Sequence, residues 1–163
     1  MKRKYYTFTF SCLLVLFATG CANKTDSIDE KYYSKENFKT LQSLTASFGI
    51  NLSNDKTLLL LIRDTECYPC LQELQYWNAQ EKSFTKWNIR LFVVGKYSSS
   101  ASSFLEREKI TLTANIDTAY SFMRKDAVPQ LPIKVLIAEN QIKKIEPMGT
   151  GANLPSFTEL MKD

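Results

Sequence analysis

Thr57-Leu58-Leu59-Leu60-Leu61-Ile62-Arg63-Asp64-Thr65-Glu66-Cys67-Tyr68-Pro69-Cys70 joins an apolar run to two cysteines across a short polar turn. Leu58–Ile62 is continuous and short, which fits a strand buried on both faces. Pro69 suits the first turn of a helix, where its missing N–H costs nothing. Leu71, Leu74 and Trp77 then share one face and predict a helix over about 69–80. The stretch therefore reads strand, turn, helix, with Cys67 and Cys70 at the helix start. A thiol there faces unpaired backbone N–H groups and the positive end of the helix dipole, which stabilise the thiolate. Thiolate is the form that attacks a disulfide, and a second Cys three residues on resolves the mixed disulfide by closing a short ring. The alternatives are two buried small hydrophobes or a metal site. The chain has no His and no second closely spaced Cys pair to complete a zinc site.

Outward from this stretch the pattern alternates. Ser34 is placed to cap a helix through about Phe48, with Phe38, Leu41, Leu44 and Phe48 on one face and Gly49 as its stop. Ile89–Gly95 reads as a second buried strand. Lys96–Ser103 is Ser-rich and supplies a cap for a helix through about Lys109. Ala119–Lys125 reads as a short helical turn. Ile133–Ala138 and Gln141–Ile145 form a hairpin across Glu139-Asn140. Pro155–Lys162 reads as a closing helix. This order predicts an α/β fold, a central mixed sheet flanked by helices. Tyr76, Trp77 and Trp87 are expected in or beside the core.

The N-terminus carries a separate signal. Lys2-Arg3-Lys4 precedes a mostly apolar segment, Tyr5 to Ala18, too short and too aromatic for a spanning helix. It ends in Ala18-Thr19-Gly20-Cys21, which resembles the lipobox of bacterial lipoproteins. That resemblance implies a signal peptide over 1–20 and a lipid on Cys21; a plain secretory signal or an uncleaved anchor is the alternative. Polar residues 22–34 read as a tether, leaving 35–163 as one domain. Of the four cysteines, Cys12 would leave with the signal and Cys21 would carry lipid, so Cys67 and Cys70 remain as the pair. A bridge across two residues stabilises little, so the pair is read as reactive. The full chain is +4; without Lys2, Arg3 and Lys4, 18 basic residues face 17 acidic ones, and no nucleic-acid partner is indicated.

The order of elements around Cys-x-Pro-Cys resembles the thioredoxin fold. More narrowly, it looks like the TlpA/ResA-type membrane-anchored thiol-disulfide oxidoreductases. Cys67-Tyr68-Pro69-Cys70-Leu71-Gln72-Glu73 matches the family's Cys-x-Pro-Cys-x-x-Glu. Phe104-Leu105-Glu106-Arg107-Glu108-Lys109-Ile110, leading to Asp117, is similar to the segment after the family's second strand. Leu131-Pro132-Ile133-Lys134-Val135-Leu136-Ile137 matches the segment where the family has a cis-Pro ahead of its hairpin strand; Pro129 is the competing candidate. The resemblance implies that Cys67 is the nucleophile, Cys70 the resolving thiol, and Glu73 a group that tunes the thiols or assists proton transfer. Glu73 otherwise reads as a solvated carboxylate near a helix N-terminus. Tyr68, Leu131 and Pro132 would form the substrate groove. Departures are Glu66 where the family has Trp, and Gln75 where it tends to have Pro. Thioredoxin has a buried Asp in the strand before the dithiol, and the corresponding position here is near Leu61. Glu66 puts a negative charge beside Cys67, which opposes the helix dipole.

The resemblance implies an enzyme of the bacterial envelope. It would exchange its dithiol with a protein disulfide, reductively, as in cytochrome c maturation, and take electrons from a membrane thiol donor without a small-molecule cofactor. Two other classes compete. A thiol peroxidase would need Thr-x-x-Cys, whereas Asp64-Thr65-Glu66-Cys67 is acidic and differently spaced. A non-catalytic scaffold or interaction lipoprotein would use the fold alone. A Ser hydrolase lacks the His base.

Overall fold

The structure, a computed structural model, describes residues 28–53, 56–65, 68–149 and 154–162. Helix α1 (Lys35–Ser47) is followed by β1 (Thr57–Arg63), α2 (Tyr68–Gln80), β2 (Asn88–Val94), α3 (Ser98–Arg107) and β3 (Ala114–Asp117). A short α4 (Ser121–Arg124), the strands β4 (Ile133–Ala138) and β5 (Gln141–Pro147), and α5 (Leu154–Leu160) complete the order. The five strands form one sheet in the order β3-β2-β1-β4-β5. β1, β2 and β3 run parallel, while β4 lies antiparallel to β1 and β5 antiparallel to β4. The sheet is mixed and helix-flanked, as the pattern implied.

β1 is central and buried along Thr57–Ile62, which is why its run is apolar on both faces. Alternation splits it cleanly. Leu58, Leu60 and Ile62 pack with Leu74 and Trp77 of α2, Phe104 of α3 and Phe157 of α5. Leu59 and Leu61 pack with Phe38 and Leu41 of α1, Phe92 of β2 and Phe122 of α4. Trp87 joins the first cluster and donates its Nε1–H to Met161 O at 2.9 Å. Ser34 caps α1, its side chain accepting from Asn37 N.

Three local expectations change. Residues 30–33 are not tether: Glu30–Tyr33 form a 3-10 turn, and Tyr32 is buried against β4 and β5 residues. Its hydroxyl donates to Asp126 at 2.8 Å, and Lys31 pairs with the same carboxylate at 2.7 Å. The remainder of the expected tether and the whole expected signal, Cys21 included, lie outside the described residues. Helix α3 begins at Ser98 with Tyr97 as its N-cap and no side-chain cap hydrogen bond. Ser100 instead donates its hydroxyl to Asp64 in the loop after β1. Finally, β3 is a strand that the sequence pattern did not indicate.

Candidate active site

The parallel strands stop flush, with Arg63, Val94 and Asp117 in register. Loop contacts brace that edge. The Asp64–Ser100 contact ties the β1–α2 loop to α3, and Gly95 packs so close that a Cβ there would lie 2.7 Å from Asp64 Oδ2. Asp117, buried at the end of β3, accepts from Ala119 N, Ser121 N and Ser121 Oγ. These ties hold three neighbouring loops against one another.

Cys70 lies in the first turn of α2, is 3% exposed, and is disulfide-bonded. Cys67 and Glu66 lie outside the described residues. On the other side of Cys70 stands the segment after β5. Cys70 Sγ is 3.9 Å from Met148 O. A Cβ on Gly149 would sit 2.9 Å from the same sulfur, and Gly149 has a φ of +84°, so both space and backbone select glycine there. Met148 N donates to Pro132 O at 3.2 Å. The Leu131–Pro132 bond is cis, while Pro129 is not the cis proline. The chain therefore brings Cys70, Met148, Gly149 and Pro132 into one cluster, at the start of α2 and the open end of the β4–β5 hairpin. Tyr68 is 71% exposed beside it, its hydroxyl accepting from Gln72 at 3.2 Å. Leu131 is half-buried.

Glu73 is not a solvated carboxylate. It is 3% exposed, one turn past Cys70, and faces the sheet. Its Oε1 accepts from Lys134 Nζ at 2.7 Å and from Trp77 Nε1 at 3.3 Å. Its Oε2 accepts from Gly149 N at 2.7 Å. Lys134 is wholly buried on β4 and shares a face with Leu136 and Ala138, which pack on the α2 side, so its side chain projects toward α2. It lies 3.8 Å from Glu146 Oε2 on β5 and 4.9 Å from the centroid of the Phe157 ring. A buried charge needs a partner and further hydrogen bonds, and here Glu73 receives three donors. Lys134 and Gly149 are the residues that the sequence did not single out. The available signal for Lys134 was a lone charge inside an otherwise apolar strand, and for Gly149 a chain break directly after that hairpin.

Among the described residues no group of three or more His, Cys, Asp or Glu is placed to hold a metal ion, and no helix is long and apolar enough to cross a membrane. No protein-family model and no curated protein matches the sequence. Solved structures do match. A protein described as thiol:disulfide interchange protein DsbE, from Chlorobium tepidum, superposes with a TM-score of 0.61 at 16% identity, over 68% of this chain and 80% of that one. The thioredoxin domain of a thiol-disulfide oxidoreductase from Bacteroides vulgatus gives 0.57 at 14% identity, over 69% and 82%. StoA from Bacillus subtilis gives 0.53 at 17% identity, over 68% and 84%.

The fold is thioredoxin-like.

On this thioredoxin-like frame, Cys70 and the cis Pro132 stand on one edge of the sheet. The carboxylate–ammonium pair lies directly behind them.

Proposed function

We propose that this thioredoxin-like chain is a thiol-disulfide oxidoreductase whose Cys67/Cys70 pair exchanges with a protein disulfide. The observation that carries the reading is Cys70, disulfide-bonded in the first turn of α2 and pressed against Met148 and Gly149. The similar solved structures support it through their fold, and the Chlorobium tepidum and Bacteroides vulgatus proteins are themselves described as a thiol:disulfide interchange protein and a thiol-disulfide oxidoreductase.

In the reducing direction, the Cys67 thiolate attacks one sulfur of the substrate disulfide. One substrate thiolate leaves, and a mixed disulfide forms. Cys70, as thiolate, then attacks Cys67 sulfur and releases the second substrate thiolate, which takes up a proton. The pair ends as a disulfide, having given two electrons to the substrate. Burial suits Cys70 to the second, intramolecular step, and Glu73 is the nearest buried acid–base group on its helix. The groove beside the pair is formed by Tyr68, Leu131 and Pro132. A membrane thiol donor returns the electrons. The client is an exported thiol protein such as an apocytochrome c, whose cysteines must stay reduced. Residues 1–20 act as a lipoprotein signal and Cys21 as the lipid site, which places the domain at the bacterial envelope.

The test is equilibration of the full chain in redox buffers, with Cys67 and Cys70 followed by peptide-resolved alkylation. One two-electron couple at or below about −250 mV supports the reductive reading, and about −120 to −180 mV turns it to oxidation or isomerisation. Absence of a reversible couple removes the enzyme reading and leaves the scaffold.

A further inference from the structure

We propose that Lys134 is a positioning residue for Cys70: it balances the charge of Glu73, one turn past that cysteine, and holds that carboxylate on Gly149. The functional weight of this balance rests on the reading of Cys70 as the resolving thiol.

The contacts form one continuous series. Lys134 Nζ donates to Glu73 Oε1 at 2.7 Å, and Glu73 Oε2 accepts from Gly149 N at 2.7 Å. Gly149 packs so close to Cys70 that a Cβ on it would lie 2.9 Å from Sγ and 3.1 Å from the Cys70 backbone nitrogen. All three side chains, Lys134, Glu73 and Cys70, are nearly or wholly buried, so solvent screens their charges little. A bare carboxylate in that position opposes thiolate formation at Cys70, and a bare ammonium favours it. Paired, they leave the sulfur close to neutral ground while the acid stays within reach.

The pair is anchored from a second side. Among the described residues, the charged groups paired with Lys134 are Glu73 from α2 and Glu146 from β5, and α5 contributes the Phe157 ring. Glu146 is itself paired through Oε1 with Lys144 at 2.9 Å, and Lys144 donates to Ser156 at 2.6 Å. Charge therefore alternates from Cys70 toward the surface: Glu73, Lys134, Glu146, Lys144. A buried ion pair is poor evidence for stability, since well-packed apolar residues serve as well or better. Lys134 in the middle of an apolar strand is better explained by what it does to Glu73 and the sulfur.

The experiment follows Cys70 alone, in the full chain carrying Cys67→Ala. The rate of its alkylation by iodoacetamide is measured against pH, with the modified peptide identified by mass spectrometry. Three further backgrounds are compared: Lys134→Met, Glu73→Gln, and both together. Lys134→Met is expected to move the midpoint up by about one pH unit, about tenfold slower alkylation at pH 7. Glu73→Gln is expected to move it down, and the double variant to bring it back near the parent. Damage to packing would move both single variants in the same direction, so shifts of one sign, or none, overturn the proposal. If one single variant does not fold, the other against the double variant still reads the sign. The titration needs no disulfide partner. A chain without a redox couple would thus sink the proposed function while leaving opposite shifts intact, and the reverse result would sink only the role of Lys134.

Discussion

At the scale of single residues, the two sides of Cys70 constrain substitution differently. Gly149→Ala adds a methyl against Sγ and forces a positive φ on an L-residue, so it is expected to cost about 2 kcal/mol or more. Urea denaturation of the oxidised chain measures this, and a cost under about 0.5 kcal/mol would show that the turn simply relaxes. Glu73→Gln leaves an ammonium buried without its carboxylate and is expected to cost about 3–5 kcal/mol. Lys134→Met with Glu73→Gln should recover most of that loss, as measured by the same unfolding curves. The place of Cys70 at the start of a helix was legible from residue order, and the cis Pro132, rather than Pro129, from the family resemblance. Glu73 was legible only as a carboxylate in the right turn. What buries it is Lys134, 61 residues away in the chain. The alternation of a strand tells which face a side chain takes but not what waits on it.

At the scale of elements, strong periodicity was read well and weak periodicity was not. β1, β2 and the β4–β5 hairpin are apolar runs or runs around a tight turn, and they stand where the pattern put them. β3 is four residues long at the sheet edge, with Ala114, Asn115 and Ile116 half-buried, so neither a two-residue alternation nor an apolar run marked it. Residues 30–33 read as polar tether because only Tyr32 is buried and its partners lie far along the chain. Asn37 secures this turn, donating through Nδ2 to Tyr32 O at 2.9 Å and Ala127 O at 3.1 Å. Asn37→Ala strands both buried carbonyls and is expected to cost about 1–3 kcal/mol, read from chemical denaturation; a neutral result would mean that water replaces the amide. The same turn has a pH window. Hydrogen bonds from Lys31 and Tyr32 hold the Asp126 carboxyl below its ordinary 3.8, and the bond to Asp126 lifts Lys31 above its ordinary 10.5. A lowered carboxylate contributes above its unfolded value and is lost as pH falls through the folded one. A raised ammonium contributes below its unfolded value and is lost as pH rises through the folded one. Docking of the turn is therefore expected to be constant from about pH 4 to 10 and to loosen outside it. The ring shifts of Tyr32 by NMR follow this, and loosening near neutrality would contradict it.

At the scale of the molecule, the turn at 30–33 belongs to the domain. A chain starting at residue 35 loses Tyr32 from the core and is expected to be about 3 kcal/mol less stable than one starting at Ile28. Equal stability in thermal and urea unfolding would return these residues to the tether. The sheet itself has two unequal parts. β1, α2, β2, α3 and β3 follow one another with parallel pairing, and β4 with β5 is a local hairpin added to the far side of β1. Cys70 and Glu73 come from the first part; Pro132, Lys134, Met148 and Gly149 come from the second. Register pairs Leu61 with Ile133 and Thr57 with Ile137, contacts that close loops of more than 70 residues. Long closures are entropically late events. The hairpin's own ladder is local, whereas its pairing with β1 spans most of the domain. Until it docks, the cysteine has no carbonyl or glycine over it and Glu73 has no ammonium. A chain emerging unfolded would thus carry a solvent-facing thiol first, and its buried surroundings would be among the last things that folding delivers.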